Sequence, residues 1–229
     1  MKKLDDIAFL VQARLGSKRC PNKMIRPFSE TTLFDINLQK LVESEFIPNE
    51  NIYVSVHEEE LVDIAKKYPV NIFLRSEKSA KSEGTPMTEI YEWWDMIPFK
   101  YVVMTNACVP FLKKETIEDF TRSYLNSDKD GMFAVIDKRN YFWDSDGHPL
   151  TKLDEAVMNT KTAAIVHEAA HCLYAGSLEK IGKGIWMGDF TKKGDIELFS
   201  VAEEEVYDVD YEWQFTACEA LYKQGFLQE

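Results

Sequence analysis

The chain has 229 residues, 45% hydrophobic and 29% charged, with 27 basic against 39 acidic side chains and a formal net charge of −12. That length and composition fit one globular domain with a full core. The acidic balance excludes a general binder of nucleic acid or anionic membrane, so an anionic substrate needs a local basic cluster set against the overall field.

Strand-like and helix-like segments alternate. Residues 7–12 (IAFLVQ) form a short apolar run that ends in a polar loop. Residues 31–44 read as a helix, 51–57 (NIYVSVH) as a strand, 58–68 as a charged amphipathic helix and 70–74 as a strand. Residues 86–97 read as a helix with Pro86 in its first turn. Residues 100–105 (KYVVMT) follow as a buried strand, 115–125 as a helix and 131–137 (GMFAVID) as a strand. The rhythm breaks over 138–170, where DSDG at 144–147 signals a turn and a hairpin or arm is expected. A loop-rich stretch punctuated by Gly182, Gly184, Gly188 and Gly194 leads to a last strand over 196–201 and a closing helix over 211–222. Such alternation predicts an α/β fold, a mostly parallel sheet flanked by helices, as one domain over 1–229. Ligands of these sheets bind beyond the carboxyl ends of the strands, which places residues 13–19, His57 and residues 106–110 near one cleft.

The loop after the first strand reads ARLGSKRCPNK. Arg14, Lys18, Arg19 and Lys23 crowd into ten residues of an acidic chain. Gly16 and Ser17 permit tight turns and close approach of backbone N–H groups to an anion. Lysine offers phosphate a point charge and arginine a fork. Such a loop is either a solvated basic turn or a triphosphate grip in which fixed cations stabilise departing pyrophosphate. Neither GxxxxGK[ST] nor GxGxxG is present.

Near the other end, Asp208 and Asp210 stand two apart, so in an extended stretch both carboxylates share a face. That pair suits Mg²⁺, which takes one or two carboxylates plus phosphate oxygens. The same acids would also serve as an acidic helix entry.

ARLGSKRCPNK resembles the N-terminal signature of the cytidylyltransferase family that contains CMP-sialic acid and CMP-Kdo synthetases. IYVS at 52–55, MTNACVPFL at 104–112 and YDVDYEWQFTACEAL at 207–221 resemble later stretches of that family in the same order. The resemblance implies a Rossmann-like nucleotidyltransferase with a small dimerisation arm at 138–170 that also holds sugar. It implies CTP and a sugar acid as partners, Mg²⁺ as cofactor and a homodimer. Phosphate contacts would fall to Arg14, Lys18 and Lys23, nucleotide binding to Ala13, Leu15, Gly16, Ser17 and Asn106, and the metal to Asp208 and Asp210. The lysine and arginine that hold the sugar carboxylate in sialate enzymes have no clear counterparts here. KRNYFWD stands near the one and HEAAH near the other, which leaves Lys138 and Arg139, with Lys161, as candidates.

A rival reading starts from HEAAH itself. His167, Glu168 and His171 match HExxH, and on a helix the two histidines would hold zinc with Glu168 as general base of a hydrolase. The family reading instead requires a strand near 171–176, which would not present both histidines in that way.

The four cysteines (Cys20, Cys108, Cys172, Cys218) form no CxxC pair, the first residues show no secretory leader pattern, and no apolar run reaches 18 residues. A cytoplasmic enzyme without membrane attachment is the expectation.

Overall fold

The computed structural model describes residues 1–81, 85–151 and 159–227. Seven strands form one sheet: β1 (Ile7–Gln12), β2 (Ile52–Val56), β3 (Asn71–Leu74), β4 (Tyr101–Thr105), β5 (Gly131–Lys138), β6 (Val166–Ser177) and β7 (Ile196–Ser200). Their order is β3-β2-β1-β4-β6-β5-β7. β6 pairs antiparallel with both β4 and β5, and the other pairings are parallel. The expected mostly parallel sheet is therefore present.

The helices are α1 (Leu33–Val42), α2 (Glu59–Ala65), α3 (Glu77–Ala80), α4 (Met87–Ile90), α5 (Lys114–Asn126), α6 (Leu178–Gly182) and α7 (Glu212–Lys223). β1 shows why the sheet is covered on both faces. Ile7, Phe9 and Val11 point into a core packed by α1, α2, α5 and α7, while Ala8 and Leu10 point into a second core with Trp93, Leu178 and Ile181. A central parallel strand buried on both sides reads as an unbroken apolar run, and IAFLV is one. Thr32 starts α1 by accepting the N–H of Asp35 at 3.0 Å, a cap that contributes about 1 kcal/mol.

One expectation needs correction. Residues 86–97 do not form one helix. α4 stops at Ile90, Tyr91 leaves helical geometry (φ −105°, ψ 42°), and a 3-10 turn follows at Glu92–Asp95. Trp93 is fully buried, donates Nε1–H to Gln12 Oε1 at 2.9 Å and packs edge-on against Trp186. Satisfying that indole outweighs continuing a helix. The last residues of the expected arm, 166–170, lie in the sheet, because β6 starts at Val166. The turn at 144–147 is present, closed by Asp144 N–H to His148 O at 2.9 Å and flanked by a Trp143–Pro149 bridge. Residues 152–158 of the arm lie outside the described residues.

β6 carries an irregularity. Its pairing with β5 jumps from Phe133–Tyr174 to Val135–Ala169, and His171 within the bulge has φ +51°. A bulge with one residue in the left-handed region bends the strand and re-aims its side chains.

Candidate active site

The chain runs β1-β2-β3 in one direction across the sheet, and β4 lies on the other side of β1. Loops leaving β1 and β4 therefore diverge, and the crevice between them is where an open α/β sheet takes its ligand. A cleft of about 840 Å³ lies there. Ala13, Arg14, Gly16, Ser17, Lys18 and Lys23 line it from the β1 side. Asn106 and Cys108 line it after β4, and Asp208 and Asp210 close it.

The two ends of the sequence meet at Lys23. This side chain is only 7% exposed, and its ammonium donates to Val209 O at 2.5 Å and to Asp210 Oδ1 at 3.2 Å. Burial works against its charge, but Cys108, Asp210 and Asp208 more than offset that, so its pKa lies above the usual lysine value. Arg19 reaches the other oxygen of the same carboxylate, Oδ2, at 2.6 Å, and its guanidinium lies over the Tyr211 ring.

Asp208 differs. Its Oδ1 is buried without a hydrogen-bond partner, and its pKa is raised, first by burial and then by Asp210. An orphaned buried carboxylate oxygen beside a second carboxylate is a position short of positive charge, so the residues fit a divalent cation.

The loop's backbone is largely committed. Ala13 N–H donates to Ser55 O at 3.2 Å, and Ala13 O accepts from Arg75 at 3.0 Å. Leu15 N–H donates to Glu58 Oε1 at 2.9 Å, and Leu15 O accepts the N–H of Ser17 at 2.8 Å. Nothing lies within 4 Å of a Cβ built on Gly16, so close approach remains open there. The left-handed residue of the loop is Asn22 (φ +55°), a type that tolerates it.

Asn106 lines the cleft, but its side chain is also braced inside the protein. Oδ1 accepts from Cys108 N at 2.9 Å, and Nδ2 donates to His171 O at 2.8 Å. Burial pushes the Cys108 thiol up to about 11, so it is a neutral wall and not a nucleophile.

Other expected residues fall elsewhere. His57 does not line the cleft, and its Nδ1 faces Arg75 O at 3.1 Å. Lys138 pairs with Glu203 and, at 3.5 Å, with Glu168, while Arg139 donates to Ala163 O at 3.1 Å. Neither lines the cleft. HEAAH lies on β6, a strand, so the helical face that an HExxH zinc site needs is not formed. His167 Nδ1 sits 2.9 Å from Asp137, and His171 Nδ1 lies 3.4 Å from the Tyr174 hydroxyl.

Glu58 and Arg75 belong to no motif visible in the sequence. Both follow the carboxyl ends of parallel strands, and that position is the signal that could have found them. Ala80 and Lys81 also line the cleft, and Arg14 donates to Ala80 O at 3.2 Å. No motif marks that wall.

A family model described as cytidylyltransferase matches residues 8–178. The chain is 26% identical over 142 residues to the N-acylneuraminate cytidylyltransferase of Oncorhynchus mykiss, covering 60% of this chain and 32% of that protein. It is 27% identical over 135 residues to the 3-deoxy-manno-octulosonate cytidylyltransferase of Rickettsia felis, covering 57% and 52%. These matches span about half the length of the relatives or less. Among solved structures, CMP:2-keto-3-deoxy-manno-octonic acid synthetase complexed with CTP superposes with a TM-score of 0.71 at 11% identity, over 96% of this chain and 99% of that one. The shared fold is that of a Rossmann-like nucleotidyltransferase.

Proposed function

The chain belongs to the cytidylyltransferase family, and from that premise we propose that it transfers CMP from CTP to a sugar, releasing pyrophosphate. The sugar is a sialic acid-like (nonulosonic) acid or a related sugar acid, the class named in the curated relatives. The observation that carries this reading is the meeting of Lys23 and Arg19 from the basic loop with Asp210, beside Asp208, in one cleft.

In this mechanism Arg14, Lys18 and Lys23 hold the triphosphate and stabilise charge that accumulates on departing pyrophosphate. Gly16 and Ser17 leave room for the phosphates to approach the backbone. Ala13, with backbone groups fixed by Arg75 and Ser55, forms a rigid wall for the base, and Asn106 flanks it, while Leu15, held by Glu58, braces the loop from outside the cleft lining. Asp208 and Asp210 would hold Mg²⁺, which when bound supplies charge neutralisation at the α-phosphate. The sugar hydroxyl attacks the α-phosphorus in line, the bond from that phosphorus to the bridging oxygen breaks, pyrophosphate leaves and the hydroxyl proton passes to solvent; positioning with electrostatics suffices without a covalent nucleophile. The enzyme works as a cytoplasmic homodimer joined through residues 138–170.

The test is pyrophosphate release with each of the four nucleoside triphosphates against a panel of sugar acids and neutral sugars. Release with CTP and a sugar acid is the expected result. Release with another triphosphate and no response to CTP would overturn the nucleotide assignment.

A further inference from the structure

Of the two carboxylates proposed to hold metal, Asp210 has both of its oxygens taken. Lys23 holds Oδ1 at 3.2 Å and Arg19 holds Oδ2 at 2.6 Å. The two cations differ in freedom. Lys23 is buried and also anchored on Val209 O, whereas the Arg19 side chain is 53% exposed. Arg19 rests against Tyr211, with its Nη1 3.4 Å from the phenol oxygen and its guanidinium carbon 4.9 Å from the ring centre. Asp208 Oδ1, by contrast, is buried and bare. The site thus sets a carboxylate oxygen without a hydrogen-bond partner next to a carboxylate paired with two protein cations.

We propose that Arg19 is a placeholder for the divalent cation on Asp210, and that a triphosphate admits the metal by drawing Arg19 onto its phosphates. This rests on the reading that the loop binds a triphosphate and that the carboxylates bind metal. Arg19 and a dication compete for Oδ2, since both carry positive charge and like charges within a few ångströms repel. An exposed ion pair is weak, so a ligand with several negative charges displaces it readily. Lys23, anchored on Val209 O, orients Asp210 from Oδ1. The consequence is ordered loading, in which nucleotide precedes metal or arrives with it, and the nucleotide-free enzyme holds metal poorly.

The experiment compares Mn²⁺ binding to nucleotide-free protein by titration calorimetry for wild type, Arg19→Met and Arg19→Lys. Arg19→Met keeps much of the stem that covers Tyr211 and removes the charge. It is expected to bind Mn²⁺ at least about tenfold more tightly than wild type, while Arg19→Lys stays near wild type. Equal affinity of Arg19→Met and wild type overturns the proposal, and so does an Arg19→Lys as tight as Arg19→Met. Adding Asp210→Asn to Arg19→Met should abolish the gain, and a gain that persists places the ion elsewhere and also overturns it. In EDTA, Arg19→Met should bind CTP severalfold more weakly than wild type. Unchanged CTP affinity sinks the transfer of Arg19 to phosphate but leaves the nucleotidyltransferase reading intact, whereas failure of wild type to bind CTP would sink that reading itself.

Discussion

Val209 donates its N–H to the carbonyl of Cys108 at 2.9 Å, joining the loop after β4 to the segment that carries both cleft carboxylates. Val209 is fully buried between Asp208 and Asp210, and its own carbonyl accepts from Lys23 at 2.5 Å. One residue thus bridges the basic loop, the β4 loop and the acidic pair, so a change at any of the three should be felt at the others.

Asp210→Ala should abolish pyrophosphate release, with a fall of at least about 10²–10³-fold, while circular dichroism shows a folded chain. Asp208→Asn should do the same and should also stabilise the fold slightly, because it removes a charge that burial disfavours. Near-wild-type turnover in either variant would remove the metal role.

Lys23→Met should lose both activity and stability. It removes two hydrogen bonds and leaves a buried main-chain carbonyl without its partner, which costs about 1–3 kcal/mol. Urea denaturation measures the stability. A variant as stable as wild type would show that the lysine serves ligand binding alone.

Lys40 on α1 gives a pH signature. Its ammonium donates to Pro110 O at 2.5 Å, and burial holds its pKa down to about 7, only partly offset by Glu205. The unfolded chain holds this proton up to its ordinary value of about 10.4. Between about 7 and 10 the unfolded state therefore binds more protons, and this group's contribution to stability rises with pH. The destabilisation is fully present below about pH 7. Relative to Lys40→Met, wild type should gain stability from pH 7 to 9.5, read as a narrowing or reversing difference in urea midpoints. A difference that does not vary with pH would refute it.

Glu168→Gln should leave pyrophosphate release within about threefold of wild type. Glu168 lies on β6, exposed itself and 3.5 Å from Lys138, outside the cleft. If HEAAH were a zinc centre, this change would remove its general base, and purified protein would carry stoichiometric zinc.

The proposed homodimer is checked by light scattering. Trp143 and Leu150, 55% and 65% exposed beside the 144–147 turn, are the apolar side chains a partner copy would cover. Leu150→Asp should shift the protein toward monomer. A monomeric wild type would discard the arm as an interface.

Local chemistry made much of this legible. The apolar run of β1, the amphipathic spacing of α5 and the cap at Thr32 are each encoded within a few neighbouring residues, so strands and helices alternate as the pattern predicts. The 86–97 segment misleads for a physical reason. Its composition favours a helix, but Trp93 is drawn into the second core by Gln12 and Trp186, partners far away in the chain. HEAAH misleads in the same way, because five residues cannot report whether a bulged strand edge or a helix will carry them.

By itself the sequence determined the α/β class, the basic loop and the acidic pair, since charge clustering and hydrophobic period are local properties. The tertiary structure decided that Asp210 is shared between Arg19 and Lys23, that Asp208 keeps a bare buried oxygen, and that Lys138 and Arg139 are spent on other partners. Those outcomes depend on which strand ends the sheet order brings together, and the 3-2-1-4-6-5-7 order arises from long-range pairing that no short stretch of sequence contains.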